Sequence, residues 1–375
     1  MAKDKKKQGK DKPAKSIVTD ESLAFLKTYI NNPSPVGFES AGQKLWLEYI
    51  KPYVDTHFTD PYGTAVGVLN PTEQFKVVIE AHADEISWFV NYINDQGLIY
   101  LKRNGGVDHQ VAPAKRVFIH GRKGPVKAVF GWPAIHTRLG NPDQKEQQPK
   151  VDNLFLDCGA RSKKEVEELG IHIGSVVTYE EGFDELAYDY YIGRAFDNRV
   201  GGFMIAEVAR LLKENKKKLP FALYIVNAVQ EEIGLRGAEM IARRIKPDIA
   251  IVTDVTHDTQ TPMINKIVEG DIACGKGPSL AYGPAIHNKL LKLVEEVAEK
   301  CNIAVQFRSL SRSTGTDTDS FAYANDGCPS VLISIPLRYM HTTVEMLHKS
   351  DIDNTIRLMY ETLLTLTPQT KLSYL

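Results

Sequence analysis

After Tyr191 the chain alternates helix-like and strand-like segments, and this pattern restricts the possible folds more than any other feature. DNRVGGFMIAEVARLLKEN, GAEMIARRI and HNKLLKLVEEVAEK space their apolar residues as helices do. FALYIVNAV, PDIAIVTDV, AVQFRSL and SVLISIPL are short, almost continuous apolar runs, as expected of strands covered on both faces. Such alternation predicts an α/β fold: a mixed, mostly parallel sheet flanked by helices. A last helix is expected over SDIDNTIRLMYETLLTL, with Ser350 and Asp353 suited to its N-terminus. The same texture appears near the start, with helices expected in TDESLAFLKTYINNPSP and SAGQKLWLEYIKPY and strands in TAVGVLN and FKVVIEAHAD.

Between about Ser87 and Gly182 the texture changes to short Val/Ile/Tyr-rich pieces broken by Gly and Pro, and only SKKEVEELG resembles a helix. This predicts an inserted small all-β domain. At 375 residues the chain is long enough for two such units. The expected organisation is a basic disordered tail over 1–15, a main domain formed by 16–86 and 183–375, and a β-rich insertion over 87–182. NPDQKEQQPK, Asn141 to Lys150, is expected to be an exposed, mobile loop.

Bulk properties exclude several function classes. A formal net charge of -1 and a pI near 6.8 advertise neither a nucleic-acid nor a membrane partner. The Lys-rich start is followed by no apolar core, and no window offers about 18 uncharged apolar residues, so a cytoplasmic location is expected. Cys158, Cys274, Cys301 and Cys328 form no CxxC pair, which argues against a thiolate zinc site and against a disulfide framework.

The chemistry collects at strand ends. VVIEAH leads to His82 and Asp84, LYIVNAVQ to Glu231 and Glu232, AIVTD to Asp254, and LISIPLRYMH to His341. Ligands of open α/β sheets bind outside the carboxyl ends of the strands, so these groups are expected to converge. Asp197 in GRAFDNR precedes a helix, where it could cap that helix or reach the same crevice. Imidazoles with carboxylates and no thiolate suit zinc, cobalt or manganese. Two divalent ions would need roughly five protein ligands, and His82, Asp197, Glu232, Asp254 and His341 supply them if Asp197 bridges ions about 3.5 to 4 Å apart.

In an extended segment Glu231 and Glu232 would point to opposite faces, so one binds metal and its neighbour stays free. A free carboxylate beside a metal-activated water is what a hydrolase requires, and Glu231 is assigned as general base and acid. Asp84, two residues from His82, is expected to accept the second ring N–H and hold the tautomer. Any one of these residues alone has an ordinary structural explanation. Together at four strand ends they do not, because burying that much negative charge without cations costs several kcal/mol per group.

The motifs AHADE, GRAFDNR, QEEIGLRGA, TDVTH, GTDTDSF and IPLRYMHT resemble, in order and spacing, the di-metal tetrahedral aminopeptidases. That family includes glutamyl and deblocking aminopeptidases, and some members carry an endoglucanase label. The resemblance runs from about Ser16 to the C-terminus. It implies His82 and Asp254 on one ion, Glu232 and His341 on the other, Asp197 between them, Glu231 as base and Asp84 behind His82. It also implies removal of N-terminal residues from peptides with a free amino group, and homo-oligomers in which the insertion pairs subunits into dimers that build a tetrahedral dodecamer. The chain departs from the family at its Lys-rich extension, at Ser87 where a glycine is more usual, and in TDTDSFAYAND. Asp317 and Asp319 in that stretch are candidates for holding the substrate amine.

Three other readings compete. Carboxypeptidases, dipeptidases and deacylases share the metal logic. A glycosidase would use two carboxylates but has no use for two histidines beside them. A non-catalytic assembly protein would not need both Glu231 and Glu232.

Overall fold

A computed structural model of the protein describes residues 16–139 and 148–375. The expected tail, and most of the expected loop at 141–150, lie outside the described residues. In chain order, helices α1 (Asp20–Asn31) and α2 (Ser40–Ile50) lead into strands β1 (Thr56–Thr59), β2 (Ala65–Leu69) and β3 (Lys76–His82). The insertion follows as β4 (Ser87–Ile93), β5 (Ile99–Asn104), β6 (Arg116–Gly121), β7 (Gly124–Gly131), α3 (Ile135–Leu139), β8 (Phe155–Asp157), α4 (Lys163–Glu168) and β9 (Val176–Tyr179). Next come β10 (Asp184–Leu186), β11 (Tyr190–Gly193), α5 (Phe196–Glu214), β12 (Ala222–Ala228), α6 (Arg236–Ile245), β13 (Ile249–His257), α7 (Lys266–Glu269) and β14 (Ser279–Tyr282). The chain closes with α8 (Asn288–Lys300), β15 (Gln306–Ser309), α9 (Thr318–Ala322), β16 (Ser330–Leu337), β17 (Glu345–His348) and α10 (Lys349–Thr365).

The main sheet has the order β1-β2-β12-β3-β13-β16-β14-β15. Its central strands β12, β3, β13 and β16 run parallel, and antiparallel pairings occur toward both edges. Those four strands are the continuously apolar runs of the sequence, and helices cover both faces as such runs require. α5 packs under β3, β12 and β13 and is itself covered by α1, α2 and α10, while α6 and α9 lie against the sheet from their own side. The parallel arrangement sends the carboxyl ends of β3, β12, β13 and β16 to one edge, where the candidate residues sit.

The insertion is a closed barrel of β4-β5-β8-β7-β6-β9 with its own apolar core around Trp88, Phe130 and Tyr179. It contains one more helix than expected, α3. Also unforeseen are β1, β10, β11, β14, β17, α7 and α9, short elements in which too few side chains repeat to reveal a period. The N-terminus of α10 differs from expectation: the side chain of His348, not Ser350, is the cap and accepts the Ser350 N–H. Asp353 instead accepts the N–H groups of Ile17 and Val18, tying the start of the main domain to the last helix. Among the described residues no helix is long and apolar enough to cross a membrane.

Candidate metal centre

β3 and β12 are in parallel register with His82 beside Ala228, so the end of one strand lies next to the turn that follows the other. That turn begins at Gln230, in left-handed conformation with φ 59°, and continues as one turn of 3-10 helix over Glu231–Ile233. Contrary to expectation, Glu231 and Glu232 are therefore not in an extended segment. They diverge because successive residues of a 3-10 turn are rotated by about 120°. β13 runs three residues past Asp254, and His341 lies in the loop between β16 and β17. Asp197 is the second residue of α5, but its backbone (φ -73°, ψ 113°) is not helical and its carboxylate turns into the crevice instead of capping. His82, Asp197, Glu231, Glu232, Asp254 and His341 all line one cavity of about 610 Å3.

Asp197 occupies the centre. One of its oxygens is 3.2 Å from His82 Nε2 and the other is 3.2 Å from His341 Nε2. His82 Nε2 is also 3.8 Å from Asp254 Oδ1 and 3.8 Å from Glu231 Oε2, and His341 Nε2 is 3.4 Å from Glu232 Oε2. Two overlapping sets, His82/Glu231/Asp254 and His82/Asp197/Glu232, each bring three donor atoms within 4.8 Å of one another. The 3.2 Å pairs lie at the long end of hydrogen bonding and the 3.8 Å pairs beyond it. The separations of 3.2 and 3.4 Å match the roughly 3.3 Å between neighbouring ligands of a tetrahedral ion bound at about 2.0 to 2.2 Å.

Electrostatics favours cations here. Burial pushes the Glu231 carboxyl up to about 10 and Asp254 up to about 7, and it raises Glu232, with the charge of Asp197 adding to the effect. Burial works to lower His341, yet the carboxylates of Asp197 and Glu232 overcome it and hold the ring at about 12. His82 is likewise raised, against its own burial, by Glu231, Asp197 and Asp84. Burial works to raise Asp197, but the two imidazoles hold it below the usual carboxylate range. Among the described residues no Lys or Arg forms an ion pair with any of these carboxylates. The protein alone thus leaves the cluster holding protons that divalent cations would displace, so the donor set fits the metals its chemistry implies.

The profile of the M42 glutamyl aminopeptidase family matches residues 63–358 of the chain. The chain belongs to the M42 glutamyl aminopeptidase family. Its relatives include a lysyl aminopeptidase of Pyrococcus furiosus, 34% identical over 337 residues, covering 89% of this chain and 94% of that protein. The fold is similar to that of a TET aminopeptidase from a marine-sediment Thaumarchaeota archaeon, with a TM-score of 0.88 and 30% identity over 93% of this chain and 97% of that one. It is also similar to a TET1 peptidase of Pyrococcus horikoshii that can assemble into a tetrahedron or a large octahedral shell, with a TM-score of 0.81 and 25% identity over 92% of this chain and 100% of that one.

In this M42 chain the residues around the donors do more than the sequence disclosed. Asp84 faces His82, but its Oδ1 is 3.5 Å from Nδ1, and that ring nitrogen has no hydrogen-bond partner. Its two oxygens instead accept the backbone N–H groups of Glu231 (3.0 Å) and Glu232 (3.1 Å). One fully buried carboxylate therefore sits behind a histidine and also anchors the turn carrying both glutamates. Glu345, which the sequence did not single out, does the equivalent on the other side. It accepts the N–H of Asp197 (3.1 Å) and that of His341 (2.9 Å), the latter residue at φ 61°.

The barrel reaches the site through Gly106, whose carbonyl lies 3.0 Å from His341 Nδ1. A Cβ on Gly106 would come within 2.8 Å of the same ring. Ser87 accepts a hydrogen bond from Asn104 at 2.7 Å, two residues before Gly106. The Gly-Gly pair after a strand was the available signal. Glu85, Arg194 and Arg199, present in the AHADE and GRAFDNR motifs but given no role, form a buried ion cluster behind the site. Asp317 does not reach the cavity: it is buried against Glu80, and burial together with that neighbour's charge raises its carboxyl. Asp319 lines the cavity, but its oxygens accept the N–H groups of Thr314 and Gly315.

Proposed function

We propose that this chain is a di-metal aminopeptidase that removes N-terminal residues from peptides with a free amino group. The observation that carries the reading is the placement of Asp197, with one oxygen toward each of two histidines. His82 and Asp254 would hold one divalent ion, zinc, cobalt or manganese, and Glu232 and His341 the other, with Asp197 shared. When bound, such ions polarise a peptide carbonyl and lower the pKa of water toward neutrality.

Glu231 takes the proton of the attacking water and returns it to the leaving amine. Support for dividing the two glutamates this way comes from their contacts. Glu232 is drawn to His341 at 3.4 Å, while Glu231 makes only the 3.8 Å approach to His82 and is the more exposed side chain, at 10% against 5%. Asp84 keeps that geometry by holding both backbone N–H groups of the turn. We assign the barrel at 87–182 to subunit pairing, and the tetrahedral assembly of the Pyrococcus horikoshii relative supports a closed oligomer.

Replacing Glu231 and Glu232 separately with Gln tests the roles. Glu231→Gln is expected to retain two ions per subunit and lose turnover, whereas Glu232→Gln is expected to lose occupancy. Equal cleavage of unblocked and N-acetylated peptides would exclude an aminopeptidase, and activity that survives exhaustive chelation would exclude the metals.

A further inference from the structure

A second cavity, of only about 10 Å3, shares Asp197 and Glu232 with the large one as lining residues. Its other walls include Glu85, Tyr179, Arg194 and Glu345. A volume near that of one probe sphere admits a single water and nothing larger. The buried Arg194 guanidinium gives Nη1 to Glu85 and Nη2 to the Asn31 carbonyl at 3.4 Å, but its Nε has no hydrogen-bond partner. The Tyr179 hydroxyl accepts the Trp88 indole N–H at 3.3 Å, which leaves its own hydrogen to be donated.

The chemistry of these walls decides the occupant. A metal cation would face the Arg194 guanidinium, and an anion would face the carboxylates of Asp197, Glu232 and Glu345. A water suits both sides, because it accepts from N–H and O–H groups and donates to carboxylates. Buried waters typically make about three such bonds, to groups that otherwise have no partner.

We propose that this cavity is a binding site for one ordered water, and that Arg194 acts through it as a positioning residue for the metal donor Glu232. The proposal rests on the two-metal reading and deepens it. Arg194 Nε–H donates to the water, and the water donates to Glu232. One oxygen of Glu232, Oε2, lies 3.4 Å from His341 Nε2; the water holds the other and so fixes the rotation of the carboxylate. Asp84 anchors the backbone of Glu232, and the neighbouring Glu85 holds the arginine that steers its side chain. Both ends of the glutamate are thus fixed from the turn that follows β3.

The test uses the metal-loaded protein. A high-resolution crystal structure is expected to show one water peak in the cavity, about 2.7 to 3.2 Å from Arg194 Nε and from a Glu232 oxygen. Competition with a chelator then reads the release of each ion. Glu232→Gln, which is expected to lose its ion, identifies the step that belongs to the pair Glu232 and His341. Arg194→Lys keeps a cation for Glu85 but lacks the Nε–H. It is expected to hold that ion about 10- to 100-fold more weakly and the other ion unchanged. Tyr179→Phe removes the second donor and leaves the ion cluster whole. It is expected to weaken the same ion by a smaller factor, which preserves the test if the Lys variant fails to fold. A merely structural role for Arg194 would lower the urea midpoint without singling out one ion. A cavity without a water peak overturns the proposal and leaves the metal centre standing. So does an Arg194→Lys protein whose two ions are both unchanged or are weakened alike. A wild type that holds fewer than two ions overturns both.

Discussion

Replacing Asp84 with Asn separates two roles that a single carboxylate plays. The carboxylate accepts two backbone N–H groups, those of Glu231 and Glu232, from a position with no solvent exposure. An Asn side chain keeps the shape but offers one oxygen and one NH2, so one of those N–H groups faces a donor. Hydrogen bonds to charged groups contribute about 1.5 to 3 kcal/mol, and the orphaned buried N–H adds its desolvation cost, so the loss is about 2 to 4 kcal/mol. In a chain of 375 residues, with an unfolding entropy of about 2.1 cal/mol/K per residue, that is a fall in unfolding midpoint of roughly 3 to 5 °C. The assay is urea unfolding of the chelated protein, which removes metal affinity from the comparison, followed by a metal titration of both proteins. The variant is expected to unfold at lower urea with an unchanged m-value and to bind metal about 10- to 100-fold more weakly. A chelated variant as stable as wild type but deficient in metal binding would refute the anchoring role and leave Asp84 as a partner of His82 alone.

Two further outcomes follow from the same geometry. In the chelated protein Glu231, Glu232, Asp254, His82 and His341 all have raised pKa values, so the folded state binds more protons than the unfolded chain between each unfolded and folded value. For the histidines this stabilisation is complete below about 6.5 and is lost as pH rises; for the carboxylates a penalty grows above about 4.5. Both signs agree, so the chelated protein is expected to lose stability from pH 6 to pH 9, while the metal-loaded protein shows a shallower slope; opposite slopes would contradict the charge assignment. Gly237→Ala, at the start of α6, would place a Cβ 2.3 Å from the Val229 carbonyl and 2.5 Å from its nitrogen. Overpacking of this kind costs about 1 to 3 kcal/mol, read as a lower urea midpoint, and the displaced turn at Glu231 and Glu232 is expected to weaken metal binding as well.

Much of the architecture was legible because it is written in local periodicity. The runs VVIEAH, LYIVNAV, AIVTD and VLISIPL are mostly apolar because they become the parallel centre of the sheet, and a parallel sheet sends their ends to one edge whatever the loops do. His82, Asp254, Glu231, Glu232 and His341 can therefore be grouped from the amino-acid order alone.

What only the tertiary structure decided are contacts between residues far apart in the chain. The 3-10 turn at Glu231 is held by Asp84, the backbone of Asp197 by Glu345, and the His341 ring faces Gly106 of the inserted barrel. A side chain reveals its strand or helix through its neighbours in sequence, because burial repeats with the period of the element. A hydrogen bond across 147 to 235 positions leaves no such repeat, and it becomes visible only when the packed sheet and barrel bring its two ends together.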